Sequence, residues 1–219
     1  MLMRTSVIGI VVAAIALLGL GAYVVLTYEG GSGTAVATST IAETTDDYEI
    51  DVQYPQFGIP AVDAQIKAIY DQAVSELKAS PVVMHDMTAA TNSFTGRFDK
   101  VFSGPDLISA ELILSSYTGG AHPSTLFTGV VFDRSGKRLT LDDALALTGK
   151  SLSEVSESAR TQLREALGDG FMFTEGADPK PENYSSFVVD STSVTFIMQQ
   201  YQVAAYAAGQ QYVVVPRVR

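Results

Sequence analysis

From Val7 to Leu26 the chain carries no charged residue, and Val, Ile, Leu, Ala and Gly supply nearly all of the run. Roughly 20 apolar residues cross a hydrocarbon core as a helix, whereas a signal-peptide core needs only about 7 to 15. The first expectation is therefore an N-terminal transmembrane helix over about Thr5–Thr27, within an anchor segment 1–28. Arg4 precedes the run, and Glu29 with the Gly30–Gly33 stretch follows it. The positive-inside rule then keeps the short N-terminus cytoplasmic and puts the rest outside, giving a single-pass signal-anchor protein of the cell membrane. Tyr23 and Tyr28 stand near the outer end, where amphipathic rings favour the interface. The rival reading is a signal peptide cleaved after Ala37, because Ala35-Val36-Ala37 has the small-residue pattern. Both readings export the remainder.

That remainder is acidic. The 219 residues carry a formal net charge of −10, and Arg4 is the only charged residue before Glu29. Such a domain repels nucleic acid and anionic lipid surfaces and attracts a cationic partner. Cysteine is absent, which excludes a disulfide framework, thiol catalysis, a zinc–thiolate centre and anchoring through a lipidated cysteine. With only His85 and His122 as imidazoles, no His-rich metal centre can be assembled, and no cofactor or metal is expected.

Residues 29–47 are rich in Gly, Ser, Thr and Ala and read as a flexible stalk, too poor in large apolar groups to offset the entropy of ordering. Periodicity begins at Tyr48, where Tyr48, Ile50, Val52 and Tyr54 alternate with polar residues as a half-buried strand ending at Pro55. Val62, Ile66, Ile69, Ala73 and Leu77 then share one helical face between Pro60 and Pro81. Phe94–Phe102, Leu107–Ser116 and Leu126–Phe132 are strand candidates; in the second, Ile108, Ala110, Leu112 and Leu114 alternate with Ser109, Glu111, Ile113 and Ser115. Residues 133–137 read as a turn, and a short helix follows Thr140. A longer helix opens at Ser151 with Glu154 at capping-box spacing and stops near Gly168. Strands at Phe187–Asp190, Ser193–Gln199 and Gln211–Arg217 close the chain. The order predicts an α+β class, with a mainly antiparallel sheet packed against two or three helices. It makes 48–219 one extracytoplasmic domain with a sub-boundary near 90–105.

The most distinctive segment is Ser116-Tyr117-Thr118-Gly119-Gly120-Ala121-His122-Pro123. Adjacent glycines at a strand end permit positive φ and let amides converge into an anion-binding nest, with Tyr117 and His122 beside them. The plainer alternative is a strand connection in which Gly119 and Gly120 do only backbone work. Ser116, His122 and an aspartate would supply a serine hydrolase, yet no G-x-S-x-G elbow is present. Asp142 and Asp143 sit at a helix start, where negative charge caps the amide ends. Near the C-terminus, Tyr201 and Tyr206 occupy a small-residue and aromatic stretch that suits strand packing, and their rings also suit a recognition surface.

Together, "YEIDVQYPQF", "SYTGGAHPS", "LTLDDAL" and "YQVAAYAAGQQYVVVP" resemble the RsiV/PdaC-type bacterial extracytoplasmic domain pair over about Tyr48–Pro216. One member of that group is the ectodomain of a lysozyme-sensing anti-sigma factor; another is the non-catalytic part of a peptidoglycan deacetylase. The resemblance implies a non-enzymatic binding module at the cell envelope, whose partner is a cationic protein such as lysozyme, or else peptidoglycan. It carries over neither sigma regulation, since about four residues precede the expected span, nor deacetylation, since an Asp-plus-two-His site is lacking. Tyr117, Gly119, Gly120, His122, Tyr201 and Tyr206 are the candidate binding residues, with no catalytic set. An anchor of this kind acts as a tether for a binding domain of unknown function.

Overall fold

The computed structural model describes residues 36–81 and 92–218, together with the backbone of four short strand pieces, Val11–Ala13, Val24–Leu26, Met84–His85 and Thr88–Ala89. The expected anchor helix over Thr5–Thr27 lies outside the described residues apart from the first two pieces, which pair antiparallel with each other. Among the described helices none is long and apolar enough to cross a membrane.

Five strands run in sequence order across the main sheet: β1 (Ala37–Thr44), β2 (Tyr48–Gln56), β3 (Asn92–Ser103), β4 (Leu107–Tyr117) and β5 (Ser124–Asp133). Val24 and Val25 pair with Ser39 and Thr38 at the outer edge of β1. Every junction from β1 to β5 is antiparallel except β2–β3, which is parallel. Parallel neighbours need a crossover, and α1 (Pro60–Ala79) supplies it. The α+β class thus contains one βαβ unit that the element order did not reveal.

β1 lies largely within the second half of the stretch expected as stalk. Its composition is poor in large side chains, but Thr38, Thr40 and Ile41 are β-branched and suit a strand. Its pairing needs only backbone groups, and Thr45 closes the hairpin by accepting the N–H groups of Asp47 and Tyr48 at its hydroxyl. β2 likewise runs through Pro55 to Gln56 rather than stopping there.

The helix α1 lays Val62, Ile66, Tyr70 and Leu77 on the sheet. Beneath it lie Ile50, Val52, Phe94, Ile108, Ala110 and Leu112. Tyr70 was not part of the predicted stripe, yet it is fully buried and its hydroxyl donates to the Arg97 carbonyl at 2.7 Å. Gly96 makes room for it, since a Cβ there would come within 2.8 Å of the Tyr70 ring.

The second half builds on the opposite face. α2 (Leu141–Thr148) and α3 (Leu152–Leu167) are both opened by capping boxes, Thr140 with Asp143 and Ser151 with Glu154. They pack on a three-stranded antiparallel sheet of β6 (Phe187–Val189), β7 (Ser193–Met198) and β8 (Gln211–Pro216). This second core starts with Val131 on β5 and continues to Val215, and the expected sub-boundary near 90–105 spans β3 of the first sheet.

The consequence is that β4 is buried on both faces, which its apolar–polar alternation did not suggest. Ile108, Ala110, Leu112 and Leu114 face α1, whereas Ser109 and Glu111 on the other face are also fully buried. Ser109 earns its place by accepting the N–H of Val189 at 3.0 Å. Glu111 takes the Tyr212 hydroxyl on both carboxylate oxygens, at 3.0 Å each. Burial pushes the Glu111 carboxyl above the ordinary carboxylate range, with Asp99 adding to the shift and Tyr212 and Lys100 opposing it. Burial likewise holds the Tyr212 hydroxyl up at about 12, so it stays a donor.

A carboxyl whose folded pKa is raised stabilises the fold fully below its unfolded value, near 4.3, and loses that stabilisation as pH climbs through the folded value. Glu111→Gln keeps an acceptor for Tyr212 and removes the charge. The variant is expected to melt roughly 2–4 °C above wild type at pH 8, with the gap closing toward pH 4. Thermal melts across that range check it, and parallel pH profiles for the two proteins would contradict the assignment.

Candidate functional site

The turn after β4 and the loop after β7 come together at one end of the molecule. Tyr117 ends β4, and its hydroxyl donates to the Gly120 carbonyl at 3.0 Å, folding the loop back on itself. Gly119 and Gly120 have φ of 100° and 113°, a region that a side chain would strain. Both lie on the same side of the φ map, so the alternation of hand that builds an anion nest is absent at this pair.

The facing loop, 199–210, is held from several directions. Tyr201 sits at φ 63°, uncommon for a residue with a side chain. It is fixed there by Gln199 and Gln202: the Gln202 N–H donates to the Gln199 carbonyl, and the Gln199 N–H donates to the Gln202 side chain. The Gln202 amide nitrogen reaches on to the carbonyls of Gly176 and Asn183. The Val203 carbonyl accepts from the N–H groups of Met172 and Phe173.

Gln199 ties this loop to the first sheet. Its side-chain amide accepts the Phe127 N–H at 3.0 Å and donates to the Phe127 carbonyl at 2.7 Å, filling one rung of the outer edge of β5. Two residues along, the Gly129 N–H donates to Ser186 Oγ at 2.9 Å. There the backbones approach so closely that a Cβ on Gly129 would lie 2.0 Å from the Phe187 carbonyl oxygen. The edge of β8 is treated the same way, with the Gln162 amide bonded to both the N–H and the carbonyl of Val214.

These restraints bring His122, Tyr201 and Tyr206 into one cluster. The His122 and Tyr206 rings stack with centroids 3.8 Å apart, and Tyr201 lies 5.6 Å from Tyr206 and 6.3 Å from His122. His122 Nδ1 is 2.8 Å from the Pro123 carbonyl, which can only accept, so Nδ1 carries a proton. Nε2 lies 3.4 Å from the Tyr201 hydroxyl. Tyr201 is 55% exposed, so the platform is open to solvent. Of the six predicted residues, the structure gathers His122, Tyr201 and Tyr206 into the platform. Tyr117, Gly119 and Gly120 shape the turn that presents it.

Ser116 is placed elsewhere. It lines a separate cavity of about 650 Å³ between α1 and the sheet, together with Ile69, Leu77, Phe94 and Leu126. The Ser116–His122 pairing that a hydrolase would require is not formed. Asp143 is spent on its capping box. Among the described residues no three His, Cys, Asp or Glu side chains converge as a metal site. Gln199 and Gln202, which organise the site, escaped the sequence reading because a glutamine at a strand end signals nothing until its partners in the other sheet are known.

The comparisons agree with this two-part construction. Residues 41–125 match the family described as Deacetylase PdaC, and residues 142–217 match the family described as Protein of unknown function (DUF3298). The chain resembles a PdaC-like domain pair. It is 24% identical over 187 residues to the peptidoglycan-N-acetylmuramic acid deacetylase PdaC of Bacillus subtilis, covering 83% of this chain. The chain spans 40% of that relative's length. A solved DUF3298 family protein from Pseudomonas aeruginosa shares the fold, with TM-score 0.55 and 19% identity, covering 85% of this chain and 93% of its own. A DUF3298 member from Bacteroides fragilis aligns with TM-score 0.48 at 18% identity, over 83% of this chain and 89% of its own.

Gln199→Ala removes both bonds to Phe127 and is expected to cost about 1–3 kcal/mol. Denaturant melts measure the cost. Hydrogen exchange in the folded protein should show faster exchange across 199–209 while α1 is unchanged; equal exchange in both regions would contradict the clamp.

Proposed function

We propose that this chain is an extracytoplasmic, peptidoglycan-associated binding module that recognises glycan through the Tyr201–His122–Tyr206 platform. The carrying observation is that three rings cluster, His122 and Tyr201 exposed and Tyr206 half-buried, on two loops whose backbones are fixed by hydrogen bonds. A rigid aromatic face with polar tips suits a sugar ring, because it offers apolar contact and hydroxyl partners at little ordering cost. The similarity to a protein named as a peptidoglycan deacetylase supports the location and the class of ligand. Binding rather than catalysis is the reading, since both nitrogens of His122 are engaged and Ser116 lies in another cavity. The apolar Val7–Leu26 segment would tether the module to the membrane.

The net charge of −10 favours a second reading, recognition of a cationic protein of the lysozyme type. Incubation with purified, protein-free sacculi separates the two. Wild type should be retained, and a Tyr201→Ala/Tyr206→Ala double variant should be retained roughly tenfold less, equivalent to about 1.4 kcal/mol. Unchanged retention of the double variant would overturn the platform. Binding heat with lysozyme, without retention by sacculi, would favour the protein partner.

A further inference from the structure

The two sheets do not close on each other along their whole length. On the inner face of the second sheet, Ile197 and Tyr212 pair across β7 and β8, and Phe127 and Ile113 of the first sheet pack against them. The neighbouring row is Val188, Thr195 and Val214, paired across β6, β7 and β8. It lines a cavity of about 470 Å³ that it shares with Lys100, Val101 and Phe102 of β3. Val214 is 47% exposed and Val101 37%, so apolar side chains from both walls meet water here. A cleft of this size and lining accommodates a small molecule with an apolar body.

A bulge in β3 supplies the charged group. Asp99 pairs with Glu111 and Phe102 with Ser109, so Lys100 and Val101 together oppose the single residue Ala110. The extra residue reverses the parity of the strand and turns Phe102 toward the second core. Lys100 takes φ 47°, a left-handed conformation uncommon for a residue with a side chain. Its ammonium lies 4.0 Å from the centroid of the Tyr212 ring, and both residues line the cleft. Among the described residues Lys100 makes no ion pair. The carboxyl of Glu111 is occupied by the Tyr212 hydroxyl and that of Asp190 by Thr192 and Ser193, while Asp99 is exposed to water. An ammonium with one side on a ring keeps donors for a second partner.

From this arrangement we infer a second binding site, for a single-chain amphiphile with a carboxylate head. The carboxylate pairs with Lys100, and the hydrocarbon chain lies in the cleft against Val188, Val214 and Phe102. Charge selects the head, because an ammonium without an ion pair beside an apolar cleft is complementary to an anion carried on a hydrocarbon. A cationic head would meet Lys100 as a like charge. The net charge of −10 opposes anions at long range, but moderate salt screens that field beyond about 10 Å and leaves the contact with Lys100. None of the lining residues belongs to the ring platform, so the site stands apart from the glycan reading.

Octanoate is the probe, titrated into the full chain in nonionic detergent with ¹³C-labelled valine methyl groups. The Val188 and Val214 methyl resonances are expected to move and saturate, while those of Val62 on α1 stay in place and report that the protein is folded. Octylammonium, compared at about 0.3 M salt to screen the net charge, is expected to bind roughly fivefold more weakly, the scale of a partly exposed ion pair. Lys100→Met keeps an unbranched apolar stem and should remove that preference; Lys100→Arg keeps the cation and should retain it. Val214→Ser takes apolar surface from the wall and should weaken both probes alike. Unmoved Val188 and Val214 resonances, or equal shifts at Val62, would overturn the site. Equal affinities for the two probes in wild type, or wild-type selectivity in Lys100→Met, would overturn the carboxylate assignment. A Val214→Ser variant that binds octanoate as wild type does would overturn the placement of the chain.

Discussion

Everything in this molecule hangs on β4 being covered from both sides. One face receives α1 through Ile108, Ala110 and Leu112; the other receives the three-stranded sheet through Ser109, Glu111 and Ile113. Burying that second face brings polar side chains out of water, which costs free energy unless each finds a partner. Val189 supplies one for Ser109 and Tyr212 one for Glu111. Those partners come from β6 and β8, so the polar residues of the first sheet specify where the second sheet must sit. The approach of Gly129 to Phe187 then leaves no room for another register.

The candidate site is a product of this docking. Tyr201 and Tyr206 belong to the second sheet's loop and His122 to the first sheet's turn, so the platform exists only where the two halves meet. Glutamine side chains do the joining. An exposed strand edge invites pairing with another chain, and the Gln199 and Gln162 amides close single rungs of β5 and β8 from within the protein.

Much of the architecture was legible from periodicity and caps. The strands from Tyr48 onward, the α1 stripe and the two capped helices lie where alternation, prolines and the Ser151–Glu154 spacing placed them. What failed to show were features whose cause is tertiary. Ala37–Thr44 looks like linker because its strand is held by backbone pairing rather than by a buried stripe. Glu111 looks like a solvent-facing residue because alternation reports one covered face and cannot report a second. The Gly-Gly turn and the C-terminal tyrosines stood out separately in the sequence, but their meeting depends on Gln199, 72 residues from its partner Phe127.

The similarity to PdaC and to DUF3298 proteins fits a two-part domain, and the proposed recognition surface lies at the seam between the parts. The most direct measurement is hydrogen–deuterium exchange of the intact chain with and without soluble, muramidase-released peptidoglycan fragments. The account predicts protection concentrated in 117–127 and 199–209, with α1 and α3 unaffected. Protection confined to α1 and the cavity beneath it, or no protection anywhere at saturating fragment, would contradict it.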